Sequence, residues 1–266
     1  MRRSLIALVI MAMPVVAAAS AAGRLQEARD GKRSAFVVVY DGNSAGLEDA
    51  RAMAKAGREK AGKARVSLVE LNRDEAANRD LVEKYGLAGA PVPLLLVVAP
   101  NGAVAGGFPA ARGNADVLVR MLPTPKKADV LGALAAGRAV VLCIYGKDAP
   151  GMEAVRAACA KARDQMKGKL TAVFVAKDDP EEARFLAELR VGPEPAGQMT
   201  LVINTAGQVT SGFPGPVDAG LLVAAANKKG GGMACAPGAC GPGAKSCAPG
   251  AAKSCAPPAA GSTAAR

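Results

Sequence analysis

The chain matches itself when shifted by 105 residues, and this repeat limits its fold more than any other feature. With no gap, Tyr40 meets Tyr145, Gly46 and Glu48 meet Gly151 and Glu153, and Arg51-Ala52 meets Arg156-Ala157. Further on, Asp74, Arg79, Leu81 and Glu83 meet Asp179, Arg184, Leu186 and Glu188. Gly102, Val104 and Gly107-Phe108-Pro109 then meet Gly207, Val209 and Gly212-Phe213-Pro214. Shared alanine content would scatter matches rather than align tyrosines, turn glycines and two Phe-Pro pairs at one offset. Residues 24–125 and 126–228 are therefore read as tandem copies of one domain, followed by a tail over 229–266.

Each copy spells the same order of elements. A short helix such as "ADVLGALAAG" leads into an apolar run, "AFVVVY" or "AVVLCIY", of the kind found in a central strand covered on both faces. A helix follows, with Leu47, Ala50, Ala54 and Gly57 on one face in the first copy and Met152, Val155 and Cys159 in the second. Next come a strand ("VSLVEL", "TAVFVA") and a helix ("ANRDLVEKYG", "EEARFLAELR"). A hairpin turning at Asn101-Gly102 or Ala206-Gly207 and a last helix near 114–122 or 217–226 complete the copy. This order predicts an α/β layer fold with a mixed sheet.

The segment "YGLAGAPVPLLLVVAPNGAV" carries a Tyr-Gly helix end, a Val-Pro step, a buried strand and an Asn-Gly hairpin. In these features the chain resembles the thioredoxin-like superfamily, over nearly all of residues 24–228. The resemblance implies two tandem thioredoxin-like domains. It also implies where redox chemistry would sit: a Cys-x-x-Cys after the first long strand, at a helix start that lowers the first thiol's pKa. Here those positions hold Ser44-Ala45-Gly46-Leu47 and Ala149-Pro150-Gly151-Met152, without a cysteine and without the usual preceding Trp. The family's cis-proline corresponds to Pro93; the second copy has Gln198 in register, with Pro195 nearby but out of step. Ser44 lacks a base to make it a nucleophile, since the chain has no His, and it or a neighbour is read as a helix cap. The resemblance thus implies redox-inactive domains of the kind that bind peptides or scaffold partners. Fold alone does not carry an activity.

Six cysteines remain to be placed. Cys143 falls on the central strand of the second copy and Cys159 on the apolar face of the next helix. They are read either as two small buried hydrophobes or as a disulfide. Cys235, Cys240, Cys247 and Cys255 lie in an imperfect C-A/G-P-G repeat with "AKS" spacers, a composition that predicts disorder. Such a tail is consistent with Cu(I) or Zn thiolate binding, with disulfides inside the tail or to other chains, with thiol exchange, or with a plain linker. No cofactor is expected for the domains themselves.

The N-terminus, "MRRSLIALVIMAMPVVAAASAAG", reads as a signal peptide over 1–21. It has a basic start, an apolar run from Leu5 to Val16 too short for a bilayer span, and A-x-A cleavage sites at Ala17–Ala19 and Ala19–Ala21. The expected location is a bacterial periplasm or the exterior, with no membrane span in the mature chain. The net charge of +11 includes Arg2 and Arg3, and a further +4 lies in the acid-free last 38 residues. The basic tail has no aromatic residue for base stacking, which argues against a nucleic-acid partner. The sequence therefore points to an exported tandem thioredoxin-like module that binds an envelope protein or peptide. Soft-metal handling by the tail and a non-standard thiol–disulfide enzyme are the alternatives.

Overall fold

The computed structural model describes residues 20–147, 149–191 and 197–229. Most of the proposed signal peptide, Pro195 and the four tail cysteines lie outside these residues. The first repeat runs α1 (Ala21–Asp30), β1 (Ser34–Tyr40), α2 (Leu47–Ala61), β2 (Val66–Asn72), α3 (Arg79–Lys84), β3 (Leu94–Val98), β4 (Val104–Pro109) and α4 (Ala115–Met121). The second runs α5 (Pro125–Ala135), β5 (Ala139–Tyr145), α6 (Met152–Gln165), β6 (Leu170–Ala176), α7 (Ala183–Glu188), β7 (Met199–Ile203), β8 (Val209–Pro214) and α8 (Ala219–Ala226). The sheets are ordered β2-β1-β3-β4 and β6-β5-β7-β8. In each, the first two strands are parallel and the hairpin pairs antiparallel with the central strand. This is the thioredoxin-like arrangement, twice over.

Alternation along β1 explains the layering. Ala35, Val37 and Val39 pack with Ala28 of α1 and with Leu81 and Val82 of α3. Phe36 and Val38 point the other way, toward Ala50 and Ala54 of α2 and Leu118 of α4. Successive strand residues face opposite sides, so a strand covered on both sides must be apolar throughout. β5 repeats the pattern, with Val140, Leu142 and Ile144 on one face and Ala139, Val141 and Cys143 on the other.

The repeat is not gapless. β1 and β5, and likewise β3 and β7, are 105 residues apart, but β2 and β6 are 104 apart, as are α3 and α7. Ladder registers agree, since Ser34 pairs with Val66 and Ala139 with Leu170. The matches at Asp74, Arg79, Leu81 and Glu83 are therefore one residue out of structural register; Leu81 corresponds to Phe185 rather than Leu186. The cause is α6, which has 14 residues where α2 has 15. The missing residue is regained before β7, so Gln198 does occupy the position of Pro93: Gly215 N–H donates to the Gln198 carbonyl as Ala110 N–H donates to that of Pro93.

Helix-to-sheet spacing is set by paired volumes. Gly57 faces Phe36 so closely that a Cβ would lie 3.1 Å from the Phe36 ring and 3.3 Å from Leu118. In the second repeat the strand residue is the smaller Val141 and the helix residue is Ala162, both fully buried. In the second repeat, just before α7, Glu182 is 1% exposed. Its carboxylate accepts from the Thr124 hydroxyl at 2.6 Å and from Lys126 N–H at 2.8 Å. Thr124 is the N-cap of α5, so Glu182 helps satisfy the amides that start this helix. The Asn101 side-chain amide donates to the Ala128 carbonyl at 2.5 Å, tying the first hairpin to α5.

Two stability predictions follow from this packing. Gly57→Ala gains about 1 kcal/mol of helix propensity but overpacks Phe36, for a net loss on the order of 1 kcal/mol. In a Phe36→Val background the same change is stabilising; urea unfolding of the four proteins reads the sign reversal. Glu182→Ala strands the Thr124 hydroxyl and the Lys126 amide, and costs roughly 2–3 kcal/mol by the same assay.

Candidate functional site

Parallel strands β1 and β2 end side by side, with Tyr40 opposite Asn72. The next residues, Asp41 and Arg73, therefore emerge together at the carboxyl end of the sheet, where open α/β sheets commonly place their sites. Arg73 Nη2 donates to Asp41 Oδ2 at 2.6 Å, and Arg73 Nη1 donates to the Ala90 carbonyl at 2.8 Å. One guanidinium thus holds the loop after β1 against the loop that leads into β3.

The Asp41 loop is fastened from within as well. Ser44 Oγ donates to Asp41 Oδ1 at 2.8 Å and accepts from Asp41 N–H at 2.9 Å. Asn43 N–H also donates to Oδ1, at 3.1 Å, and Gly42 N–H donates to Asp74 Oδ2 at 2.9 Å. The Ser44 hydroxyl, backed by Asn43 N–H and Arg73, holds the Asp41 carboxyl below its ordinary pKa against the opposing effect of burial. Ser44 does not cap α2. The N-cap is Gly46, in the left-handed region at φ +78°, with no side-chain hydrogen bond. That dihedral is natural for glycine and strained for other residues, and Gly151 repeats it at φ +82°.

The eight positions at the helix starts therefore divide into loop and helix. Ser44 closes the turn, Ala45 follows, Gly46 redirects the chain and Leu47 opens α2; Ala149, Pro150, Gly151 and Met152 trace the matching path into α6. The second repeat makes the same backbone turn, with Ala149 N–H donating to Gly146 as Ser44 N–H donates to Asp41. It has Gly146 and Ala149 in place of Asp41 and Ser44, so it lacks this side-chain network. The Val92–Pro93 peptide bond is cis. Val92 is half-buried, and among the described residues its N–H and C=O have no hydrogen-bond partner. It follows the Ala90–Pro91 segment that Arg73 anchors.

Arg73 and Asp41 were not singled out from sequence. The available signal was that each immediately follows one of two adjacent parallel strands, with a serine three residues after the aspartate. A further network lies on the α2 side. Arg51 donates to both Glu70 carboxylate oxygens, at 3.0 and 2.7 Å, and sits 5.5 Å from the Tyr40 ring centre.

Cys143 and Cys159 are brought together. Both thiols are free and buried, with Sγ atoms 3.7 Å apart. The hydrogen bond to Cys159, and then burial, push the Cys143 thiol well above its ordinary pKa. Among the described residues there is no cluster of three or more metal-ligating side chains, and no helix is long and apolar enough to cross a membrane.

No protein-family model and no curated protein sequence matches the chain. Among solved structures, the first two thioredoxin domains of Eps1p from Naumovozyma dairenensis match at 10% identity, covering 82% of this chain and 99% of theirs, with a TM-score of 0.31. The corresponding domains of Saccharomyces cerevisiae Eps1p match at 11% identity over 77% and 96%, with a TM-score of 0.30. Zinc-bound human ERp44 matches at 9% identity over 76% of this chain and 55% of its own, with a TM-score of 0.32. No activity follows from likeness at this level; strand order and connections are what define the fold here.

The Asp41 network makes stability depend on acid. A carboxyl whose folded pKa is depressed stabilises the fold above its unfolded pKa, and that contribution is lost as pH falls through the folded value. Asp41→Asn is therefore expected to melt below the parent at pH 7, with the two converging as pH drops below the ordinary carboxylate value of 3.8. Thermal scans from pH 7 to pH 2.5 measure this.

Proposed function

We propose that the chain is an exported binding or scaffold module of the bacterial envelope, holding an extended peptide segment of a partner at the first repeat. The observation that carries the reading is the open peptide group of Val92, beside a loop that Arg73 and Asp41 keep fixed. An unpaired, preorganised backbone donor and acceptor can pair with an extended chain, the basis of strand-addition recognition. The helix starts carry Ser44 and Ala149 where a redox enzyme of this fold needs its first thiol, so the reading requires no electron transfer there. Export rests on the signal-like N-terminus and leaves the partner's identity open to direct capture.

The test uses a carboxymethylated, permanently unfolded polypeptide as ligand and backbone amide NMR of the full chain. Shifts are expected at Val92, Ser44 and Ala90. Arg73→Ala is expected to weaken binding about fivefold, in line with losing roughly 1 kcal/mol of positioning hydrogen bonds. Insulin reduction should stay at the uncatalysed rate. Shifts confined to other surfaces, or insulin reduction by the chain, would overturn the reading.

A further inference from the structure

The two repeats differ in a correlated way at one place in their cores. Val38 on β1 and Ala54 on α2 are buried apolar neighbours in the first repeat. Their counterparts on β5 and α6 are Cys143 and Cys159. A single replacement would be an ordinary buried thiol. Here both members of one strand–helix contact are cysteine, with the sulfurs 3.7 Å apart. A disulfide needs about 2.05 Å, so a small approach of the two side chains closes the bond. The pair bridges β5 and α6, away from Ala149–Met152, where the fold usually carries its thiols.

The pair also has a route to the outside. Cys159 borders an open cleft of about 540 Å³ between α6 and β6, which also presents Arg138, Arg156, Arg163 and Phe174. Arg156 lies 4.5 Å over the Phe174 ring, and no acidic residue lines the cleft. Arg163 is partly offset by Asp164 at 3.7 Å, but Arg138 and Arg156 leave the opening positive, which attracts anions.

We propose that Cys143 and Cys159 form a reversible dithiol–disulfide pair, oxidised through this cleft by a small anionic disulfide. The Cys159 thiolate attacks one sulfur of the incoming disulfide, forming a mixed disulfide and releasing one thiolate. Cys143 loses its proton to solvent and attacks Cys159 Sγ, forming the intrachain bond and releasing the second thiolate. The two protein thiols are oxidised, the small disulfide is reduced to two thiols, and the two protons lost by the protein are taken up by the products.

The experiment uses the full chain with Cys235, Cys240, Cys247 and Cys255 changed to Ser, leaving only the buried pair. Glutathione disulfide is the anionic probe and cystamine the cationic one. The control carries Cys143→Val and Cys159→Ala, the residues the first repeat already uses at these positions. Expected are a mass loss of 2 Da mapped to a Cys143–Cys159 cross-link and a rise in Tm on the order of 5–10 °C, both absent from the control. At low salt, glutathione disulfide should react about tenfold faster than cystamine, an advantage that added salt removes. If both cysteines still alkylate fully on unfolding after oxidation, the pair is a packing feature and the proposal fails. If cystamine reacts as fast as glutathione disulfide, the cleft does not select anions and that half of the proposal fails.

Discussion

The interaction on which both halves depend is the packing of a wholly apolar central strand between two helical layers. β1 offers no polar side chain from Ala35 to Val39, and β5 from Ala139 to Ile144 only the Cys143 thiol; these residues are almost fully removed from water. Each large side chain buried there contributes roughly 1.5–3 kcal/mol. The contribution depends on helices approaching at the right distance from both sides. On the α2 side that distance is set by Ala50, Ala54 and Gly57, a face with almost no volume, which admits the Phe36 ring. On the α6 side, larger helix residues, Val155, Cys159 and Ala162, meet a smaller strand residue, Val141. The sum is kept while its parts are redistributed, as expected for cores that tolerate substitution when total volume is preserved.

That freedom lets two copies of one fold diverge without losing either core. The first repeat elaborated the carboxyl end of its sheet, where Asp41, Ser44 and Arg73 join two loops through charged hydrogen bonds. The second has Gly146 and Ala149 at the same end and instead pairs two thiols between strand and helix, at Cys143 and Cys159. Thr200, opposite Cys143 across the β5–β7 ladder and fully buried, adds a hydroxyl where the first repeat has Leu95. The second core is thus locally polar where the first is entirely hydrocarbon. A buried polar group needs a functional or structural return to offset its desolvation.

The order of elements was legible because it is written in strong signals: uninterrupted apolar runs for β1 and β5, turn glycines at 102 and 207, and the repeat itself. The one-residue slip was not. Helices and loops absorb a deletion with little penalty, and chance identities such as Leu81 with Leu186 conceal it until ladder partners are known. The place of the Ser44 hydroxyl was not legible for a related reason. A serine ahead of a helix usually caps it, but Gly46 in the left-handed region turns the chain between Ser44 and Leu47, and the hydroxyl reaches back to Asp41 instead. Arg73 was illegible for a different reason: its partners, Asp41 and Ala90, are 32 and 17 residues away, and only the parallel pairing of β1 and β2 brings them together.

The charges at the start of α2 bear on the binding role proposed for the first repeat. A reactive cysteine there depends on the positive end of the helix to stabilise its thiolate. In this chain Glu48 and Asp49 occupy the first turn and set carboxylates near that end, with Glu48 also paired to Arg51 at 2.5 Å. The ionised Asp41 stands immediately before it, engaged by Ser44. A thiolate placed at Ser44 would have Asp41, Glu48 and Asp49 as neighbours in sequence, with Arg73 already committed to Asp41 and Arg51 to Glu48 and Glu70. The same charges are harmless to the peptide backbone proposed to pair at Val92, which would need a rigid neighbour and open hydrogen-bonding groups rather than a stabilised anion. Ser44 at the helix start and the Asp41–Arg73 clamp are therefore mutually consistent features at one end of one sheet.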